Sequence, residues 1–204
     1  MEDLLIVPAV LTANSLVAQH ICNNFTAYRE LVAAKKYELI NRITGSLFIL
    51  YICYMGTYIS SDEDVKHFIR NVAGYMLYDM AHMSFYSQSL AMYLHHCAFL
   101  GFYLSMNIFS EQDRYIFYKS VWMLESTAPF LTVCWCLHLF KYPDTYTHKM
   151  MKIISFIYWT LIRIIYQPYY LYTTANTIVC ILGSSIVVLN IYWFRLLLKR
   201  VITL

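Results

Sequence analysis

Apolar residues run along this chain in stretches of about 18–25, the length needed to cross a bilayer as a helix. Seven such stretches are predicted: 4–22, 43–60, 68–88, 90–109, 116–140, 150–171 and 176–197. The first is interrupted by Asn14, Gln19 and His20, so the prediction is six or seven transmembrane helices. The third and fourth are nearly continuous and require a very short connection. Pro129 and Pro168 fall inside the fifth and sixth stretches. Proline lacks a backbone donor, so both helices should kink where neighbouring groups satisfy the freed carbonyls.

Between the first two stretches, residues 23–42 mix four basic and two acidic side chains with Tyr, Leu, Val and Ala. A short amphipathic surface helix and an ordinary loop both fit this pattern. Ser61-Asp62-Glu63-Asp64 reads as a solvated turn that starts a helix. Two units follow: 1–37, an N-terminal span with its connector, and 38–198, a transmembrane domain. The acidic start, Met-Glu-Asp, and the lack of a clear small-residue cleavage site make the first stretch a retained span rather than a signal peptide.

Composition sharpens this picture. Hydrophobic residues make up 60% of the 204, charged residues 13%, and mean hydropathy is +0.50. Soluble domains carry about 25% charged residues, so the chain reads as an all-α, polytopic membrane protein. Its net charge of +3 is too small to suggest a nucleic-acid partner, and the basic residues sit between apolar runs. With seven spans, one side carries Arg29, Lys35, Lys36, Arg42, Lys141, Lys149, Lys152, Arg195, Lys199 and Arg200. The other carries Lys66, Arg70, Arg114 and Lys119. By the positive-inside rule the C-terminus is cytosolic. Six cysteines lie in or beside apolar runs without a C-x-x-C pair, which argues against a disulfide framework or a zinc site.

Polar groups inside these runs carry the chemistry, because an ionisable group in hydrocarbon is costly and faces a protein interior or wet cavity. Tyr75, Asp79, His82 and Tyr86 share one stripe of the third helix at helical spacing. His95 and His96 follow in the fourth, diverging by about 100°. Trp122, Glu125, Pro129 and Thr132 share a face of the fifth helix, and Trp159, Arg163, Tyr166 and Tyr170 a face of the sixth. Four successive helices thus offer stripes to one cavity. Charge counting predicts an ion pair of Arg163 with Glu125 or Asp79.

A histidine oriented by a carboxylate takes a proton from an amine or hydroxyl, or attacks a thioester. Those groups are His95, His96, Asp79 and Glu125, the catalytic set if the protein is an enzyme. His82, Arg163, Tyr75, Trp122, Trp159 and Tyr166 are the candidates for holding a lipid or its headgroup. Structural readings compete: ion pairing for Arg163 and Glu125, and packing for His82. No metal is predicted, since the H-x-x-x-H arrays of membrane desaturases and hydroxylases are absent.

The same residues carry a resemblance. Asn41-Arg42 opening a span, Gly74-Tyr75-x-x-x-Asp79, Tyr93-Leu94-His95-His96, Leu124-Glu125-Ser126-Thr127-Ala128-Pro129-Phe130 and Phe156 through Arg163 resemble, in order, segments of the TLC-domain family. That family's membrane domain is shared by ceramide synthases and lipid-homeostasis proteins. The resemblance covers roughly residues 38–196. It departs at Phe48, where small members often carry a histidine. It departs again at Ala128, where ceramide synthases complete a D-x-x-D pair. Neither the soluble module nor the cytosolic stretch of ceramide synthases lies within these residues, so the resemblance is to the small, non-synthase branch. It implies a TLC-like helical barrel, a role in lipid homeostasis, membrane lipids as partners and an endoplasmic reticulum or other endomembrane address. For an acyltransferase it implies acyl-CoA as co-substrate, with no resident cofactor. A transporter is the third class, and homo-oligomerisation stays open.

Overall fold

A computed structural model describes residues 2–86, 89–142, 145–173 and 176–202. It is all-helical, with no strand among these residues. In chain order the helices are α1 (Glu2–Cys22), α2 (Thr26–Arg29), α3 (Ala33–Gly56), α4 (Asp62–Met83), α5 (Leu90–Ser105), α6 (Glu111–Ser126), α7 (Ala128–Leu139), α8 (Tyr146–Thr160), α9 (Gln167–Tyr172) and α10 (Thr177–Ile202). A 3-10 turn, Met106–Ile108, follows α5, and a π-helical segment, Leu161–Tyr166, joins α8 to α9. Three stretches are long and apolar enough to cross a membrane: Leu4–Cys22, Ala33–Gly56 and Thr177–Lys199. These fit an integral membrane protein.

Each predicted run is helical, and the boundaries move for local reasons. The third begins earlier, at Asp62, because the Ser61 hydroxyl accepts from the Asp64 amide and the Asp64 carboxylate accepts from the Ser61 amide, a capping box that nucleates the first turn. Its last two predicted residues, 87 and 88, lie outside the described residues. Half of residues 23–42 belong to α3, which starts at Ala33, and the rest hold the one-turn helix α2 between short connections. Glu38 extends the helix beyond the apolar run by pairing with Lys35 at 2.7 Å and Arg42 at 3.0 Å, the i,i+3 and i,i+4 spacing of helical neighbours. The boundary at 37/38 therefore falls inside one helix.

The two prolines act differently. In the fifth run the chain breaks at Thr127, the residue between α6 and α7, with Pro129 in the first turn of α7. In the sixth, the break precedes Pro168 and takes the form of the π segment. A missing donor at 168 disrupts the regular bonding one turn back, and a widened turn absorbs the mismatch.

Packing closes a ring: α3 lies against α4, α4 against α5, α5 against α10, α10 against α8, α8 against α7, and α7 against α3. Neighbours alternate in direction, since Asn41 near the start of α3 meets Asp79 near the end of α4, which meets His96 near the start of α5. The helix α6 fills the far end, packing on α3, α4 and α9. There Tyr118 donates to the Gly56 carbonyl and Trp122 Nε1 to the Cys53 carbonyl at 3.0 Å. Outside the ring, α1 rests on α3 and α4. Gly74 lets it approach, because a Cβ there would stand 2.8 Å from that of Val7 and 3.1 Å from the Leu4 carbonyl oxygen. Ser15 locks the contact through Tyr78 and Thr44.

The exterior is apolar and the interior polar. Leu47, Leu50, Leu104, Ile157, Ile181 and Val188 are exposed, whereas Asn41, Asp79, His95, His96, Glu125, Arg163, Gln167 and Asn190 are buried. That inversion suits lipid outside and a polar chamber within.

At the far end, Arg114 clamps Asp62 with two bonds of 2.7 and 2.8 Å and also donates to the Phe109 carbonyl. The Arg114 guanidinium, helped by Lys66, holds the Asp62 carboxyl at about 2, below the ordinary value near 3.9. A lowered carboxylate pKa stabilises the fold fully above about pH 4, and the contribution drains away as pH falls toward 2. Asp62→Asn should cost about 1–3 kcal/mol at neutral pH. It should also flatten stability between pH 4 and pH 2, as read by thermal denaturation in detergent.

Candidate functional site

Inside the ring lies a cavity of about 830 Å³. Its wall includes Arg42, His138, His148 and Lys152 at the end where α3 and α8 begin and α7 ends. Tyr75, Asp79, His95 and His96 stand deeper, and Glu125, Trp159 and Arg163 deeper still. A second, small apolar crevice of about 20 Å³ lies beyond, sharing His95 and Glu125 with the large one.

Two histidine–carboxylate pairs occupy this wall. His96 Nε2 lies 2.8 Å from Asp79 Oδ2, and its Nδ1 2.8 Å from the Met92 carbonyl. A carbonyl only accepts, so Nδ1 carries the hydrogen it donates. The Nε2 side shares a proton with Asp79, and the pair is neutral as a unit. Asn41 Nδ2 donates to Asp79 Oδ1 at 2.5 Å and to the Tyr86 hydroxyl at 2.6 Å. Every polar atom of the His96 ring is thereby engaged.

His95 differs. Its Nε2 stands 3.8 Å from Glu125 Oε1, longer than a hydrogen bond, and its Nδ1 is buried with no hydrogen-bond partner among the described residues. The two rings lie 5.5 Å apart and nearly perpendicular, at 89°, and Trp193 packs edge-on against His95 at 5.7 Å. The 100° divergence of adjacent residues therefore sends each imidazole to its own carboxylate. His96 is locked, and His95 is available.

Arg163 does not form the predicted carboxylate pair. Its Nε donates to Thr127 Oγ1 at 3.0 Å, Nη1 to Asn190 Oδ1 at 3.3 Å, and Nη2 to the Leu124 carbonyl at 2.8 Å. Among the described residues no carboxylate is ion-paired with it; the histidines hold Asp79 and Glu125 instead. The reason is the break at Thr127. It frees a carbonyl at the C-terminal end of α6, where the helix dipole favours a cation, and the guanidinium caps it. Asn190 in turn donates to Gln167, and the Trp159 ring lies 5.8 Å from the guanidinium carbon.

Three predicted residues stand off the cavity wall. His82 lies about 60° around α4 from Asp79, on the side of Tyr78, against which its ring packs at 4.3 Å. Trp122 sits one turn beyond Glu125 and bonds to α3. Tyr166 is 46% exposed, turned outward by the π segment. Tyr75 and Trp159 do line the cavity. Asn41, Thr127, Gln167 and Asn190 carry the network without having been singled out as site residues. A buried amide in an apolar run was the available signal for Asn190.

No three His, Cys, Asp or Glu side chains among the described residues are grouped to hold a metal. What the arrangement offers chemically is an imidazole beside a carboxylate, in the wall of a cavity large enough for a lipid headgroup. No family model matches this chain, and neither a curated protein nor a solved structure matches it.

Proposed function

We propose that this chain is a polytopic membrane protein of six or seven spans, arranged as a TLC-like barrel, that binds or modifies a membrane lipid in its central cavity. The observation that carries this reading is His95 facing Glu125 across 3.8 Å in the wall of an 830 Å³ cavity. A buried imidazole and carboxylate left this loosely engaged are suited to meeting a third group. Lipid homeostasis in the endoplasmic reticulum or another endomembrane, with the C-terminus cytosolic, is the accompanying proposal. The ordered motifs resembling TLC-domain proteins and the ten-to-four basic asymmetry support it.

The enzymatic version is acyl transfer from acyl-CoA to a lipid amine. The nitrogen–carbon bond forms, the thioester C–S bond breaks, His95 takes the amine proton, and the leaving thiolate is protonated. The free His95 ring and the nearby Glu125 favour it; Ala128, where ceramide synthases complete their D-x-x-D pair, counts against it. A transporter has less support, because interrupted helices occur in α6–α7 and α8–α9 without a matching pair elsewhere in the ring.

Purified protein should retain lipid detectable by mass spectrometry after delipidation. If it is a transferase, it should also turn over acyl-CoA with a lipid amine. His95→Ala should then lower turnover by about 10²–10⁴-fold with a smaller fall in melting temperature than His96→Ala. Protein that retains no lipid and turns over no acyl-CoA contradicts the proposal.

A further inference from the structure

Lys152 stands apart from the other charged groups of the cavity. Asp79 and Glu125 face imidazoles, Arg163 caps a helix end, and Arg42 is tied to Glu38 at 3.0 Å with its guanidinium 4.8 Å from the Trp135 ring. Lys152, partly buried in the cavity wall, has no hydrogen bond or ion pair among the described residues. It comes from α8, and Arg42 comes from α3; α7 runs between them, adjacent to both. His138 and His148 line the same end, their rings 6.1 Å apart. Lys35 also approaches Trp135, at 5.5 Å from its centroid. Among the described residues that line this end none is acidic, and the neighbouring Glu38 is already shared by Lys35 and Arg42. The described lining of the rim is therefore net cationic, whereas the carboxylates Asp79 and Glu125 lie deeper.

We infer that this rim binds a phosphate group, with Lys152 as its principal contact and Arg42 opposite, so that the cavity's ligand is a phosphate-bearing amphiphile. The inference rests on the reading of the cavity as a lipid site and adds the headgroup chemistry. An unpaired ammonium in a concave, partly desolvated wall is a point-charge binder for phosphate oxygens. The Arg42 guanidinium has Nε and Nη2 on Glu38 and keeps Nη1 for a second oxygen. A neutral headgroup would leave the ammonium without a counter-charge, and a cationic one would meet repulsion at the entrance.

The test is native mass spectrometry of the full chain in detergent, offered equimolar phosphatidic acid and diacylglycerol with identical acyl chains. Wild-type protein should retain phosphatidic acid about tenfold over diacylglycerol. Lys152→Gln should reduce that preference about fivefold or more. Lys36→Gln, the same charge change at a half-buried lysine outside the cavity lining, should leave it intact. Arg42→Lys keeps the charge and should give an intermediate loss. Equal retention of both lipids by wild type, or equal losses in Lys36→Gln and Lys152→Gln, overturns the phosphate site while leaving the lipid cavity standing. Retention of neither lipid overturns the cavity reading itself. Displacement by millimolar inorganic phosphate supports the site and assigns it to soluble phosphates. Persistence of the preference in phosphate buffer supports the site and assigns it to a lipid headgroup.

Discussion

His96→Ala is expected to destabilise the protein by about 3–5 kcal/mol, the cost of breaking a buried charged pair from one side. It strands the Asp79 carboxylate, 8% exposed, with only the Asn41 amide as a partner. At roughly 2–4 °C per kcal/mol for a chain of this size, the melting temperature in detergent should fall by about 10 °C. Asp79→Asn should give a comparable loss from the other side. The double variant Asp79→Asn/His96→Gln should lose less than the sum of the single losses, because no bare charge remains and two amides can pair. His95→Ala should cost less than His96→Ala, since that ring makes no short hydrogen bond to lose and stands 3.8 Å from Glu125. Equal stability of the two alanine variants would contradict the division between a locked and an available imidazole.

The second large effect belongs to Arg163. Replacing it with Leu strands Asn190 Oδ1 and removes one of the donors to the Leu124 carbonyl, which keeps its bond from the Thr127 hydroxyl, for a loss of about 1–3 kcal/mol. Lysine should rescue little. A single ammonium cannot reach three acceptors that a planar fork meets together. Glu125→Gln should cost less than about 1 kcal/mol, because Arg163 draws its bonds from Thr127, Asn190 and Leu124 rather than from that carboxylate. Were the guanidinium held by Glu125, the same substitution would strand a buried cation and cost about 3–5 kcal/mol. A double-mutant cycle between Arg163 and Thr127 should show coupling, and one between Arg163 and Glu125 should show little.

How far the sequence reaches into this structure depends on the scale of the question. Apolar runs and the capping residues Ser61 and Asp64 were legible because helix length and end chemistry are local properties. The inward stripe of α4 followed from helical periodicity for Tyr75, Asp79 and Tyr86 but not for His82. Both histidines of α5 line the shared space although their 100° divergence pointed at most one of them into it. Three things were not legible. The extension of α3 to Ala33 comes from Glu38 bridging Lys35 and Arg42, charged side chains that hydropathy counts against a helix in the membrane. Pairing among buried charges also escaped, since charge counting treats Arg163 as needing an anion, whereas a broken helix end supplies carbonyl and hydroxyl oxygens. Finally, the fifth and sixth runs do not keep one phase from end to end. The break at Thr127 and the π segment at Leu161–Tyr166 reset the direction of side chains, so Tyr166 turns outward while Arg163 enters the cavity wall. Trp122, one turn from Glu125 on the same helix, lies past the end of the cavity against α3.

The division of labour along the cavity has a physical logic. Cations at the rim, a neutral His96–Asp79 unit, and the open His95–Glu125 pair form successive layers from the entrance to the mid-depth floor. Arg163 holds α6 and the π segment together beneath them. The carboxylate that faces His95 sits one residue beyond the carbonyl that Arg163 caps. A shift of the α6 end would therefore move Glu125 directly, and a 1 Å displacement is enough to cost a reacting pair its geometry.

The central claim is that His95 and Glu125 act on a lipid inside the cavity. The most direct measurement is lipid mass spectrometry on cells expressing wild type, His95→Ala or Glu125→Gln at matched protein levels. One lipid class should change in abundance with wild type and not with either variant, while both variants remain folded. An identical lipid profile for wild type and both variants would contradict it and leave the pair a structural feature of the ring.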